Sequence, residues 1–180
     1  MNHLEKLLAG NARFISQKTE AVNSTKLRAQ LATGQSPFAA ILCCADSRIA
    51  PEIVFDQPLG ELFVCRVAGN VPTPEIIESL EYAVGHLGVQ LIVVAGHASC
   101  GAVTAAFESD HPQGLFSQIA LSPTPNLDES IAHNATQGAK TILDQSPLIL
   151  EAVESGNATV VSGVQDIASG TFTVLDRYQK

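Results

Sequence analysis

The sequence predicts a single-domain α/β fold: a mainly parallel four-stranded sheet with an antiparallel edge strand and helices on both faces. Three observations predict it. Short apolar runs rich in β-branched residues alternate with stretches whose apolar residues recur at helical spacing. Two of those runs, residues 38–43 and 91–95, empty directly into reactive residues, Cys44-Ala45-Asp46-Ser47-Arg48 after the first and Gly96-His97-Ala98-Ser99-Cys100-Gly101 after the second. In open α/β sheets ligands collect beyond the carboxyl ends of the strands, at a topological switch point, so two such strands can together present Cys, His and Cys. Third, 180 residues, 46% hydrophobic and 16% charged, can bury one sizeable core but hardly two.

Each element has its own signal. Residues 3–17 place Leu4, Leu7, Leu8 and Ala12 on one helical stripe, with Asn2 as the N-cap. This helix precedes the first strand and is expected to pack on a partner subunit; residues 1–37 form an N-terminal helical arm and 38–180 the α/β core. A short helical piece around residues 26–31 leads to a Gly34-Gln35-Ser36-Pro37 turn and the first strand. Pro51 opens a short helix ending near Phe55, and a turn at Pro58 to Gly60 precedes the strand at 62–67. Ile76, Ile77, Leu80, Ala83, Val84 and Leu87 then mark a helix with acidic residues in its first turn, weakened at Gly85 and ended by Gly88. The strand at 91–95 completes a right-handed parallel crossover. A helix begins at Gly101, residues 108–126 read as a surface excursion, and helices resume over 127–144 and 147–155. Strands at 158–164 and 171–175 close the chain, the last an antiparallel edge.

Charge and composition exclude several function classes. The ten Lys and Arg against eighteen Asp and Glu give a net charge of −8, and no basic run exists, so an electrostatic footprint for nucleic acid or anionic lipid is missing. No apolar run reaches the roughly 20 residues needed to span a bilayer, and Met1 to Lys6 does not read as a secretory leader, so a cytoplasmic protein is expected. Four cysteines in that compartment read as thiols or metal ligands rather than a disulfide framework.

Two thiolates and an imidazole, from Cys44, His97 and Cys100, leave an open fourth position on a tetrahedral zinc, and three protein ligands plus water is the pattern of catalytic rather than structural sites. A closed site would need Cys43 or Cys65. Cys43 points to the opposite face of its strand from Cys44, and Cys65 is mid-strand and reads as core. Asp46 can contact the metal or its water, and Arg48 can hold that carboxylate bidentately.

These residues resemble the β-class carbonic anhydrases. Besides Cys44 to Arg48 and Gly96 to Gly101, the likeness takes in Gly10-Asn11-Ala12-Arg13-Phe14, Gly34-Gln35-Ser36-Pro37-Phe38, Phe55-Asp56-Gln57, Phe63-Val64-Cys65-Arg66-Val67-Ala68-Gly69-Asn70 and Ser79-Leu80-Glu81-Tyr82-Ala83-Val84, in the family's order. It covers roughly residues 3 to 175. Cys43 stands where that family more often has Gly or Ala. The resemblance implies a zinc enzyme, one ion per chain on Cys44, His97 and Cys100, that interconverts carbon dioxide and bicarbonate, with the hydroxide on zinc oriented by a catalytic Asp46–Arg48 dyad. It implies a homodimer or higher homo-oligomer. Gln35 aligns with a glutamine that hydrogen-bonds the substrate, Phe63 and Tyr82 match an apolar pocket wall supplied partly by the neighbouring subunit, and the Gly101 N–H is expected to meet the developing bicarbonate oxygen. Members regulated by bicarbonate share a tryptophan shortly before the first cysteine ligand; this chain has no Trp, and position 41 is Ile. Two rivals are hydrolysis of carbon disulfide or carbonyl sulfide on the same fold, and a non-catalytic zinc-bearing binding or sensing module with its fourth position filled by protein.

Overall fold

A computed structural model describes residues 1–180. Helix α1 (His3–Ile15) opens with a capping box: Asn2 Oδ1 accepts from the Glu5 N–H at 2.8 Å while the Asn2 N–H donates to the Glu5 carboxylate at 2.9 Å. Leu4, Leu7, Gly10 and Asn11 form its buried stripe, which docks on its own chain. Asn11, a polar residue within an apolar stripe, makes the docking specific. Its Nδ2 donates to Val54 O at 3.0 Å and Gly170 O at 2.8 Å, and its Oδ1 accepts from the Phe172 N–H at 2.9 Å. The approach is close enough that a Cβ on Gly10 would lie 1.8 Å from Phe55 O.

The chain continues through α2 (Thr25–Leu31), β1 (Ala39–Cys43), α3 (Pro51–Val54), β2 (Leu62–Arg66), a 3-10 turn (Ala68–Asn70), α4 (Pro74–Gly85), β3 (Leu91–His97) and α5 (Gly101–Phe107). After them come α6 (Leu127–Gln145), α7 (Pro147–Glu154), β4 (Thr159–Gln165) and β5 (Phe172–Tyr178). Every expected helix and strand is present. The excursion after α5 holds one 3-10 turn, Gly114–Gln118. Strand β3 runs two residues further than its apolar run indicated, because Gly96 and His97 stay paired with Val164 and Gln165 of β4. No helix is long and apolar enough to cross a membrane.

The sheet has the order β2-β1-β3-β4-β5, parallel except for β4 with β5. From β1 the chain first moves outward to β2 and then returns across β1 to β3, so the switch point falls between β1 and β3. Strand period then sorts the core into two layers. Ile41, Cys43, Val93 and Ala95 pack with Leu7, Ile49, Val54, Phe55 and Val103 on one face, and Ala40, Leu42, Ile92 and Val94 pack with Leu80, Ile142 and Ile149 on the other.

Buried Asp56 fastens the arm to this core. Arg13 Nε donates to its carboxylate at 2.5 Å, and the backbone N–H groups of Glu20 and Ala21 donate at 3.0 and 2.9 Å. Burial pushes the Asp56 carboxyl up, but these donors outweigh it and hold the carboxyl below its usual value. Its stabilising contribution is therefore complete above the unfolded value of about 3.9 and drains away as pH falls through the lower folded value. Asp56 sits at φ 46, a conformation asparagine tolerates. Asp56→Asn should thus remove the ion pair without adding backbone strain, at a cost of about 2 kcal/mol at pH 7. Urea melts should show that difference narrowing below about pH 3.5; a difference that widens in acid would reject the assignment.

Candidate metal centre

Cys44 lies one residue beyond β1, where the ladder to β2 continues: the Val67 N–H donates to Cys43 O at 3.1 Å and the Ala45 N–H to Val67 O at 3.2 Å. His97 ends β3, and Cys100 is the N-cap of α5. Adjacent parallel strands at the switch point thus deliver the residues to one place. The donor atoms of Cys44, His97 and Cys100 all lie within 4.8 Å of one another, and all three residues are buried. The two sulfurs are 4.0 Å apart. Tetrahedral zinc with bonds of about 2.3 Å to sulfur requires about 3.8 Å between two sulfurs.

The histidine is oriented for the same purpose. Its Nδ1 lies 2.9 Å from Ala98 O, a carbonyl that can only accept, so Nδ1 carries the proton and Nε2 the lone pair. Nε2 is buried and has no hydrogen-bond partner. A buried, unpartnered lone pair facing two sulfurs fits a soft or borderline cation such as zinc. The sulfurs are also prepared. Cys100 donates to Cys44, and that hydrogen bond, with the backbone N–H of Gly69, holds the Cys44 thiol far below its ordinary value despite burial. As the donor, Cys100 is pushed up.

Cys43 and Cys65 stand outside this group, as their strand positions predict. Burial pushes their thiols up to about 12 and about 11, the behaviour of inert core cysteines.

Asp46 is held in one orientation. Arg48 Nε donates to Oδ1 at 2.9 Å, Nη2 to Oδ2 at 2.7 Å, and the Arg48 backbone N–H to Oδ1 at 2.9 Å. The Arg48 side chain holds the carboxyl well below the usual range, and Oδ2 stops 3.9 Å from His97 Nε2. Arg48 Nη2 also donates to Ser99 O at 3.2 Å, restraining a residue at φ 54 between His97 and Cys100.

The other expected site residues lie elsewhere in the chain. Phe63 pairs with Ala40, four residues before Cys44 and so about 13 Å along the strand direction. Gln35 is exposed and lies before the same N-terminal end of β1. The Phe63 and Tyr82 rings are neighbours, with centroids 6.2 Å apart; Tyr82 also stacks on His86 and is 45% exposed. Gly101 is exposed in the first turn of α5, and a Cβ there would meet nothing within 4 Å.

Three supporting groups carry no signal at a fixed spacing. Arg66 donates from Nε to Cys44 O at 3.1 Å and from Nη2 to Asp46 O at 2.6 Å, clamping the loop that bears Cys44 and Asp46. The Gly69 N–H donates to Cys44 Sγ at 3.3 Å, and Asn134 Nδ2 to Gly69 O at 2.7 Å. The last reaches the site from 65 positions away.

The comparisons with known proteins agree with this geometry. The family model described as "Carbonic anhydrase" matches residues 39–172. Carbonic anhydrase 2 of Mycobacterium tuberculosis is 36% identical over 186 residues, spanning 94% of this chain and 90% of the relative. The crystal structure of the β-carbonic anhydrase CafA of the fungal pathogen Aspergillus fumigatus superposes with a TM-score of 0.74 at 28% identity, covering 84% of this chain and 81% of that one. A structure from a study of two tetrameric β-carbonic anhydrases of Sordaria macrospora gives a TM-score of 0.72 at 26% identity, covering 82% and 85%. With the sheet order, the paired strand-end motifs and the Cys-His-Cys cage all in hand, the chain belongs to the β-carbonic anhydrase family.

Proposed function

We propose that this chain catalyses the reversible hydration of carbon dioxide to bicarbonate and a proton, with one zinc held by Cys44, His97 and Cys100. The observation that carries the reading is the cage, two buried sulfurs 4.0 Å apart beside an unpartnered buried histidine nitrogen, in a chain of this family. Zinc bound there supplies the positive charge that makes a water nucleophilic at neutral pH.

The protein's own residues do the rest. Two thiolates cancel the formal charge of a divalent cation, so the site has to recover reactivity by orientation. Asp46 accepts a hydrogen bond from the nucleophilic water and turns its lone pair toward carbon dioxide. Arg48 keeps Asp46 from becoming a ligand, since both carboxylate oxygens are engaged on the guanidinium. The Gly101 N–H meets the oxygen on which bicarbonate charge develops. Gln35, Phe63 and Tyr82 of a neighbouring copy complete the pocket, an amide for the polar product and two aromatic faces for an apolar substrate. Their distance from the cage of their own chain and the exposure of Tyr82 support supply from a neighbour, as does the tetrameric assembly of the Sordaria relatives. We take the chain to be a homodimer or higher homo-oligomer working in the cytoplasm.

Stopped-flow hydration, with zinc quantified on the same samples, tests the reading. Turnover should scale with zinc content up to one ion per chain and follow simple hyperbolic kinetics in bicarbonate. Dilution below the dimer dissociation constant should cost at least about tenfold in turnover per chain, the pocket wall being lost. Full zinc occupancy without hydration would reject the activity, and a fully active monomer by light scattering, or a cooperative bicarbonate response, would reject the shared pocket.

A further inference from the structure

We propose that Asn134 is a positioning residue for the metal centre, setting the donor strength of the Cys44 thiolate through the backbone N–H of Gly69. The inference rests on the ligand set proposed above. A hydrogen bond from an N–H to a thiolate draws negative charge off the sulfur and weakens its donation to a bound cation. Where two thiolates already offset a divalent charge, that withdrawal restores acidity at the open position. The Gly69 N–H makes such a bond to Cys44 Sγ at 3.3 Å.

The turn that presents this N–H is closed by a hydrogen bond from the Asn70 N–H to Val67 O at 3.0 Å but carries strain. Gly69 and Asn70 are consecutive left-handed residues, at φ 74 and φ 46, and Asn70 Nδ2 is buried without a partner. Both features oppose the conformation. Glycine is required at 69, where a Cβ would add a 3.0 Å contact with Ile119 Cδ1 to the backbone strain. Asn134 supplies the restraint. It is 4% exposed, its Nδ2 donates to Gly69 O at 2.7 Å, and its Oδ1 accepts from the Ala120 N–H at 3.0 Å. One amide therefore ties α6 and the excursion after α5 to the turn facing Cys44. Its two hydrogen bonds go to backbone groups and neither goes to a ligand, so it acts through Gly69.

Three readouts separate this role from a merely structural one. In wild-type protein loaded with cadmium-113, the Gly69 amide proton should show scalar coupling to the metal through Cys44 Sγ, and Asn134→Ala should abolish it. In the cobalt(II)-loaded protein the sulfur-to-metal charge-transfer band should move to lower energy in Asn134→Ala, the thiolate having become more electron-rich. The zinc form should show kcat lowered about tenfold at neutral pH with KM within about twofold, and the midpoint of its pH profile moved upward. Asn134→Leu, close in volume and uncharged, lacks the donor to Gly69 without adding a charge near the centre; it should shift all three in the same direction and serves if the alanine variant does not fold. Ser130→Ala is the control, from the same helix: the buried Ser130 hydroxyl accepts from the Ser122 N–H of the same excursion without touching the turn. It should lose thermal stability while leaving band, coupling and pH midpoint in place. An Asn134 variant that behaves like Ser130→Ala overturns the proposal, as does wild-type protein that binds cadmium on two thiolates without coupling to Gly69. A cadmium shift showing no sulfur ligation would instead reject the ligand set beneath it.

Discussion

Cys100→Ser is expected to leave a folded protein with zinc affinity lowered at least about a hundredfold and no hydration above background. One ligand of a zinc site that releases 10–16 kcal/mol over four ligands is worth about 3 kcal/mol, which sets that factor. The substitution is informative because its structural cost is small. Cys100 is the N-cap of α5 and makes no side-chain cap hydrogen bond, while serine is among the preferred N-cap residues. Helix α5 should therefore be no less stable in the variant. A serine turned to cap the helix also withdraws its oxygen from the cage, deepening the loss of metal. Metal analysis after dialysis, thermal melting and stopped-flow hydration on one preparation check the three parts. Full zinc occupancy with normal turnover would reject the ligand assignment.

Arg48→Ala is expected to separate metal binding from activity: zinc near one per chain, hydration reduced about 10²- to 10³-fold. That range is the cost of removing one preorganised group from a reacting centre. The side chain donates two of the three hydrogen bonds that Asp46 receives from Arg48, and Asp46 Oδ2 lies 3.9 Å from the nitrogen we assign to the metal. Without the guanidinium the carboxylate can swing into the fourth position and displace the nucleophile. The variant also frees Ser99 O, so the strained residue between His97 and Cys100 loses its restraint. Arg48→Lys, which keeps the charge but not the fork, should recover part of the activity but not all of it. Near-native turnover in Arg48→Ala would show that the dyad is dispensable. Loss of zinc from that variant would make Arg48 a support for the cage rather than a restraint on Asp46.

Features encoded within a few neighbouring residues were legible before any tertiary contact was known. Apolar runs bounded by proline and glycine marked all five strands. The Asn2, Pro51 and Gly101 positions marked helix starts to within a residue. The meeting of the proposed ligands was legible for the same reason: Cys44, His97 and Cys100 each lie at or just beyond a strand end, and a parallel sheet brings adjacent strand ends together. The dismissal of Cys43 followed from strand period alone.

Which distant backbone groups meet is set by long-range packing. Nothing in the amphipathic pattern of α1 says that Asn11 will bond three backbone groups at Val54, Gly170 and Phe172, so its apolar stripe could equally have been assigned to a partner. Arg66 and Gly69 fell within a stretch that carried the family resemblance, but their bonds to the site did not show, and Asn134 was unmarked altogether, since a single hydrogen bond between segments dozens of residues apart leaves no periodicity. The extension of β3 to His97 came from pairing with β4, not from hydrophobicity. Gln35, Phe63 and Tyr82 show the same division at the level of assembly. Their residue types were readable, but their place at the far end of β1 and β2 follows from strand register, and that distance is what a neighbouring copy would have to close.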